Sequence, residues 1–231
     1  MKLFAALVHA AAAASQVEVD KLAVVFDSLA PIDAGAKGSP ISKGKSVAVQ
    51  FPTFPASDLD CVDAAVTLEY VNFTVSTLNI TTNESLWLQA ELCPSANGNQ
   101  SLPLMQSSPI APPFKPMHIH EFFPLGLPHC TKSDTTERIP IQTFDEQVTF
   151  QWYPPPKFVL DPATTYWFTV HSNGETKDKL PIWLDGAKTF STANDPRKEV
   201  LVAYTESEGG NWGVAFPVEN RLVPSLQVYS S

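Results

Sequence analysis

The sequence predicts an all-β domain: an antiparallel β-sandwich, jelly-roll-like, with a Pro-rich loop insertion. Three observations carry that expectation. The first is that 21 of 231 residues are proline and only 10 are glycine, and each interior proline costs a helix about 3 kcal/mol. The second is that apolar residues recur at every second position in short runs, the period of a half-buried strand. The third is the aromatic content of 14 Phe, five Trp and five Tyr, which argues for a packed core rather than a disordered chain.

The runs follow one another with turn signals between them. Leu22, Val24 and Phe26 alternate first, then Val47, Val49 and Phe51. Val62, Ala64, Val66, Leu68 and Tyr70 share one face. The apolar parity then shifts to Val71, Phe73 and Val75. A parity shift inside one run predicts either a β-bulge or a strand that changes sheets. Leu86, Leu88, Ala90 and Leu92 form the next strand. Residues 94–140 hold nine prolines and no sustained alternation, and read as the insertion, with room for one short helix near His118 to Phe123. Alternation resumes at Val148, Phe150 and Trp152, stopped by Pro154, Pro155 and Pro156. Tyr166, Phe168 and Val170 follow, then Ile182 and Leu184, then Val200, Val202 and Tyr204. Leu226, Val228 and Tyr229 close the chain. No repeat and no second domain boundary interrupts this pattern.

The N-terminus reads as a secretory signal. Lys2 supplies a positive start, Leu3 to Ala13 an apolar stretch too short to span a bilayer, and Ala12 to Ala14 small residues for cleavage. The expected organisation is a signal peptide over 1–14 and one domain over 15–231. Four N-x-[ST] sequons begin at Asn72, Asn79, Asn83 and Asn99, and predict a secreted, extracellular glycoprotein. A glycan must face solvent, so Asn72, in a strand-like run, either stays empty or marks an outward face. The C-terminus carries no apolar tail of the kind that a lipid anchor or membrane span requires.

Three cysteines leave one bridge and one leftover thiol. Cys93 and Cys130 bracket the insertion and are the favoured pair, with Cys61 left over. A net charge of -9 repels phosphate backbones and argues against nucleic-acid binding.

The late segment Leu160-Asp161-Pro162-Ala163-Thr164-Thr165-Tyr166-Trp167, the later Trp183, and Gly210-Asn211-Trp212 together resemble the choice-of-anchor R family. The resemblance spans roughly residues 22–229. It implies a β-sandwich of secreted or cell-surface proteins and carries over no catalytic residues. The residues themselves give Asp161-Pro162 a turn-opening role. They also place either Tyr166 or Trp167 in the core with its polar tip hydrogen-bonded.

Chemistry has few places to sit. His118 and His120 share one face of an extended segment, and with His129 or Glu121 form the candidate transition-metal site. Asp185, Asn194 and Asp195 are candidates for a structural calcium. No G-x-S-x-G elbow is present for a serine hydrolase. The carboxylates Asp145 and Glu146 are adjacent, so a strand would point them apart. Trp87, Trp152, Tyr153 and Trp212 are the candidate platforms for stacking on a sugar. The leading expectation is extracellular recognition of a glycan, cell-wall or matrix component, without a dedicated active site. Two alternatives stand beside it: a polysaccharide-active or metal-dependent enzyme using the His118/His120 loop, and a purely structural surface component.

Overall fold

The computed structural model describes residues 22–32, 37–53, 66–78, 80, 85–95, 138–156, 158–175, 180–190, 200–205, 212–214 and 222–231. These form fourteen strands and no helix. The strands are β1 (Ala23–Asp27), β2 (Gly38–Pro40), β3 (Val47–Pro52), β4 (Val66–Ser76), β5 (Trp87–Pro94), β6 (Ile139–Pro140) and β7 (Val148–Trp152). They continue as β8 (Val159–Leu160), β9 (Thr165–Ser172), β10 (Ile182–Thr189), β11 (Val202–Thr205), β12 (Trp212–Val214), β13 (Leu222–Pro224) and β14 (Leu226–Ser230).

Two antiparallel sheets pack face to face as a β-sandwich. One runs β1-β14-β4-β10-β13, with β7 and β8 on β4 and β2 on β10; the other runs β12-β11-β3-β9-β5-β6. Phe168 of β9 is the centre of the seam. Its ring meets Phe73 at 5.6 Å, Trp152 at 5.5 Å and Trp183 at 6.1 Å, all from the facing sheet. Phe26 against Phe51 at 6.0 Å adds a second crossing point. Trp183 is fully buried and donates its indole N–H to the Ser225 carbonyl at 2.8 Å, as a buried indole requires.

The parity shift in β4 is a bulge. Tyr70 pairs with Tyr229 and Leu68 with Ser230, which leaves Glu69 as the extra residue. One extra residue flips everything beyond it to the other face. Leu68, Val71, Phe73 and Val75 therefore all face the core, whereas Tyr70, expected to share the face of Leu68, points outward. A second bulge lies in β1, between Val24 and Phe26. It corrects the expectation for that strand too: Phe26 is buried, while Leu22 and Val24 are exposed.

Tyr166 and Trp167 are both buried, on opposite faces of β9. Tyr166 is the core residue, and its hydroxyl oxygen accepts a hydrogen bond from the Asp161 N–H at 3.0 Å. Asp161 thereby ties the turn to the core, and Ala163 in that turn takes a positive φ of 52°. The ends of the proline-rich segment are more ordered than expected. Pro94 closes β5 opposite Tyr166, and Ile139 and Pro140 pair with Leu88 and Trp87. His118 to Phe123, where a short helix was expected, lies outside the described residues.

Candidate functional site: a tyrosine and amide face

The outer face of the eight-stranded sheet carries two parallel rows of side chains. Pairing sets the first row: Val24 of β1 opposite Tyr229 of β14, and Tyr229 opposite Tyr70 of β4. Tyr153, just past the end of β7, extends it, because its neighbour Trp152 pairs with Val71. The rings make contact. Tyr70 stacks on Tyr229 with centroids 4.6 Å apart and planes at 26°, and meets Tyr153 at 6.1 Å and 53°. Tyr153 is 58% exposed and Val24 47%.

The second row lies two residues along each strand, with Val24 to Asp27 stretched to three by the bulge. Asp27 pairs with Gln227, Gln227 with Asn72, and Asn72 with Gln151. Adjacent strands are about 4.8 Å apart and residues i and i+2 about 7 Å, so the two rows form one compact patch. Hydrogen bonds fix its parts. Tyr153 donates its hydroxyl proton to the Gln151 side-chain carbonyl, and Ser231 donates to Glu69. Asp27 accepts from the Leu29 N–H at 2.6 Å, which holds Leu29 at a positive φ of 65°. Burial, then the neighbouring Tyr70 and Asp27, push the Tyr229 phenol above its ordinary value.

The expected stacking residues divide sharply. Tyr153 belongs to the tyrosine row. Trp152 is only 4% exposed, because β7 turns it into the core against Phe168. Trp212 is 7% exposed and packs with Cys93, Trp167 and Leu201 on the six-stranded sheet. Neither is a platform. Trp87 is half-buried, and the Arg138 guanidinium lies 4.6 Å from its ring centroid. Tyr70 and Tyr229, which sequence reasoning did not single out, lie beside Tyr153 in the row.

The other expected sites are less populated. Asn72 lies on the outward face, between core-facing Val71 and Phe73, which is the geometry a glycan needs. Asn79, Asn83 and Asn99 lie outside the described residues, as do the candidate metal residues His118, His120 and His129. Of the calcium candidates only Asp185 is described, and its N–H donates to the Lys37 carbonyl at 2.8 Å. Among the described residues no three His, Cys, Asp or Glu side chains gather as a metal site. Cys93 is fully buried and disulfide-bonded. Cys61 and Cys130 lie outside the described residues, so no bridge falls wholly within them.

A polar pair also occurs on the outer face of the six-stranded sheet. Ser46 Oγ and His171 Nδ1 are 2.6 Å apart, Thr169 Oγ1 is 3.4 Å from Nε2, and the Trp212 ring lies edge-on to the imidazole. Ser46 is buried, and its N–H donates to Thr205 Oγ1 at 2.8 Å. That arrangement knits β9 and the end of β11 to the residue that precedes β3. No helix among the described residues is long and apolar enough to cross a membrane. The chain matches no family model, no curated protein and no solved structure.

Proposed function

We propose that this protein is a secreted, N-glycosylated β-sandwich that recognises glycans through the tyrosine and amide face. The observation that carries the reading is the double row itself. A pyranose ring presents C–H groups on its flat faces and hydroxyls at its rim. Contiguous aromatic rings suit the first, and adjacent side-chain amides, each with donor and acceptor, suit the second. A cross-strand aromatic row left partly exposed is unusual on a surface with no ligand to meet. The net charge of -9 favours a neutral ligand over an acidic one.

The rest of the expected biology belongs to the same reading. The N-terminal segment acts as the export signal, a Cys93–Cys130 bridge closes the proline-rich segment, and the family relationship is to choice-of-anchor R domains. The test is direct. Protein produced without N-glycans is titrated with N,N',N''-triacetylchitotriose and with cello- and manno-oligosaccharides, following intrinsic fluorescence. A saturable change with one of them, lost in Tyr70→Ala, is expected. Absence of binding to every oligosaccharide, with the protein folded, sinks the proposal.

A further inference from the structure

Asn72 stands in the middle of the amide row, with Gln227 on one side and Gln151 on the other. Its sequon is complete: Phe73 is in the core, and Thr74 supplies the hydroxyl. The Asn72 side chain makes no hydrogen bond to any described residue, so its amide nitrogen is free to be an attachment atom. The flanking Gln227 and Gln151 occupy the row on both sides of that nitrogen. A sugar that folds back on the sheet does so along the strand. In one direction lie Thr74 and Thr149, already bonded to each other at 3.1 Å. In the other lie Tyr70 and Tyr229, rings stacked and half-buried, about 7 Å away.

We propose that Asn72 carries an N-linked glycan whose first N-acetylglucosamine residues lie back over Tyr70 and Tyr229, so that occupancy at Asn72 closes the recognition face. This rests on the glycan-binding reading of that face and adds its regulation. The chemistry is one and the same. The inner part of an N-glycan is a β-linked pair of N-acetylglucosamines, and tethering raises its local concentration far above that of any free oligosaccharide. A chain glycosylated at Asn72 therefore binds its own sugar, and a chain with Asn72 empty presents an open face to another.

Three forms of the secreted protein separate the possibilities: wild type, Thr74→Val, which destroys the sequon at nearly constant volume, and Thr74→Ser, which retains it. Site-resolved mass spectrometry reads occupancy at Asn72. Nitration by tetranitromethane, mapped by peptide, reads the accessibility of each tyrosine, with buried Tyr166 as the internal check on folding. Tyr70 and Tyr229 should be nitrated several-fold more slowly in the Asn72-glycosylated forms than in Thr74→Val. Triacetylchitotriose should bind Thr74→Val about ten-fold more tightly than the glycosylated protein, a difference of about 1.4 kcal/mol. Amidase release of the glycan from folded wild type, which leaves aspartate at position 72, provides a second comparison in which Thr74 is unchanged. An empty Asn72 in the wild-type protein overturns the proposal, as does equal nitration of Tyr70 and Tyr229 in both glycoforms. Protection without any chitotriose binding leaves the self-covering intact and removes the recognition reading. Equal binding to both forms does the reverse.

Discussion

The tyrosine row rests on contacts between rings, and a double-mutant cycle measures those contacts without any ligand. Tyr70 is the central ring, touching Tyr229 at 4.6 Å and Tyr153 at 6.1 Å. Both distances fall within the range where aromatic pairs contribute about 0.5–1.5 kcal/mol beyond area burial. Removal of Tyr70 breaks two such pairs, so Tyr70→Ala should cost about 1–3 kcal/mol. Tyr153→Ala breaks one weaker contact and should cost less than about 1 kcal/mol. The single-site costs include lost β propensity, but the cycle subtracts them. The coupling of Tyr70 with Tyr229 should be close to 1 kcal/mol, and that of Tyr70 with Tyr153 smaller, because the rings are farther apart and tilted by 53°. Urea unfolding of wild type, the three single mutants and the two double mutants provides every term. A Tyr70–Tyr229 coupling indistinguishable from zero refutes the row as an ordered surface. A larger coupling for Tyr153 than for Tyr229 refutes the register derived from the bulge at Glu69.

Three further outcomes test the frame that holds the face. Phe168→Ala removes a fully buried ring with three aromatic neighbours across the seam, and should cost about 3–5 kcal/mol in urea unfolding; a loss under about 1 kcal/mol argues against the sandwich seam. Gly186→Ala places a methyl 2.3 Å from the Ser28 carbonyl oxygen and 2.6 Å from that of Leu29. Both obstacles are backbone, so a loss of about 1–3 kcal/mol is expected. Gly44→Ala, with nothing within 4 Å, is the control and should be nearly neutral on thermal melting. The phenols of Tyr166 and Tyr229 are raised, first by burial. A raised phenol keeps its proton longer in the folded chain than in the unfolded one. The associated stability is complete below the ordinary value of 10.0 and is lost as pH climbs through the higher folded values. Tyrosinate absorbance should show two late-ionising tyrosines, with unfolding free energy falling only above that pH. Ionisation of Tyr166 and Tyr229 at the ordinary value of 10.0 contradicts it.

The sandwich was legible in the sequence where one rule sufficed. Val47, Val49 and Phe51, or Leu88, Ala90 and Leu92, alternate without interruption, and each of these lies in the core. Burial of one sheet face forces that period. Legibility failed at bulges and at aromatic residues whose pattern is shared by core and surface. Leu22 and Val24 keep the alternation of Phe26 in sequence, yet the bulge between Val24 and Phe26 puts them on the opposite side. No glycine marks that bulge. Trp152 and Tyr153 are adjacent before three prolines, and nothing local says that the first fills the core and the second the surface. Only the pairing of Trp152 with Val71 decides it.

The tyrosine and amide face had a signature in the chain, but one that becomes meaningful only after the strands are paired. Tyr70-Val71-Asn72, Gln151-Trp152-Tyr153 and Gln227-Val228-Tyr229 each place a tyrosine and an amide at i and i+2, on one side of a strand. In every case the residue between them is apolar and buried. The order reverses, tyrosine first on β4 and last on β7 and β14. Those two strands both run antiparallel to β4 and flank it. Reversed order is what antiparallel neighbours need if like is to lie beside like. Read singly, each triplet is an ordinary half-buried strand. Read together, their alternating direction turns three scattered pairs into two continuous rows. A random placement of surface tyrosines would not align both rows in register across three strands. The tyrosine and amide face is thus a property of the pairing rather than of any one motif, and Asn72 is the one amide in it that lies in a sequon.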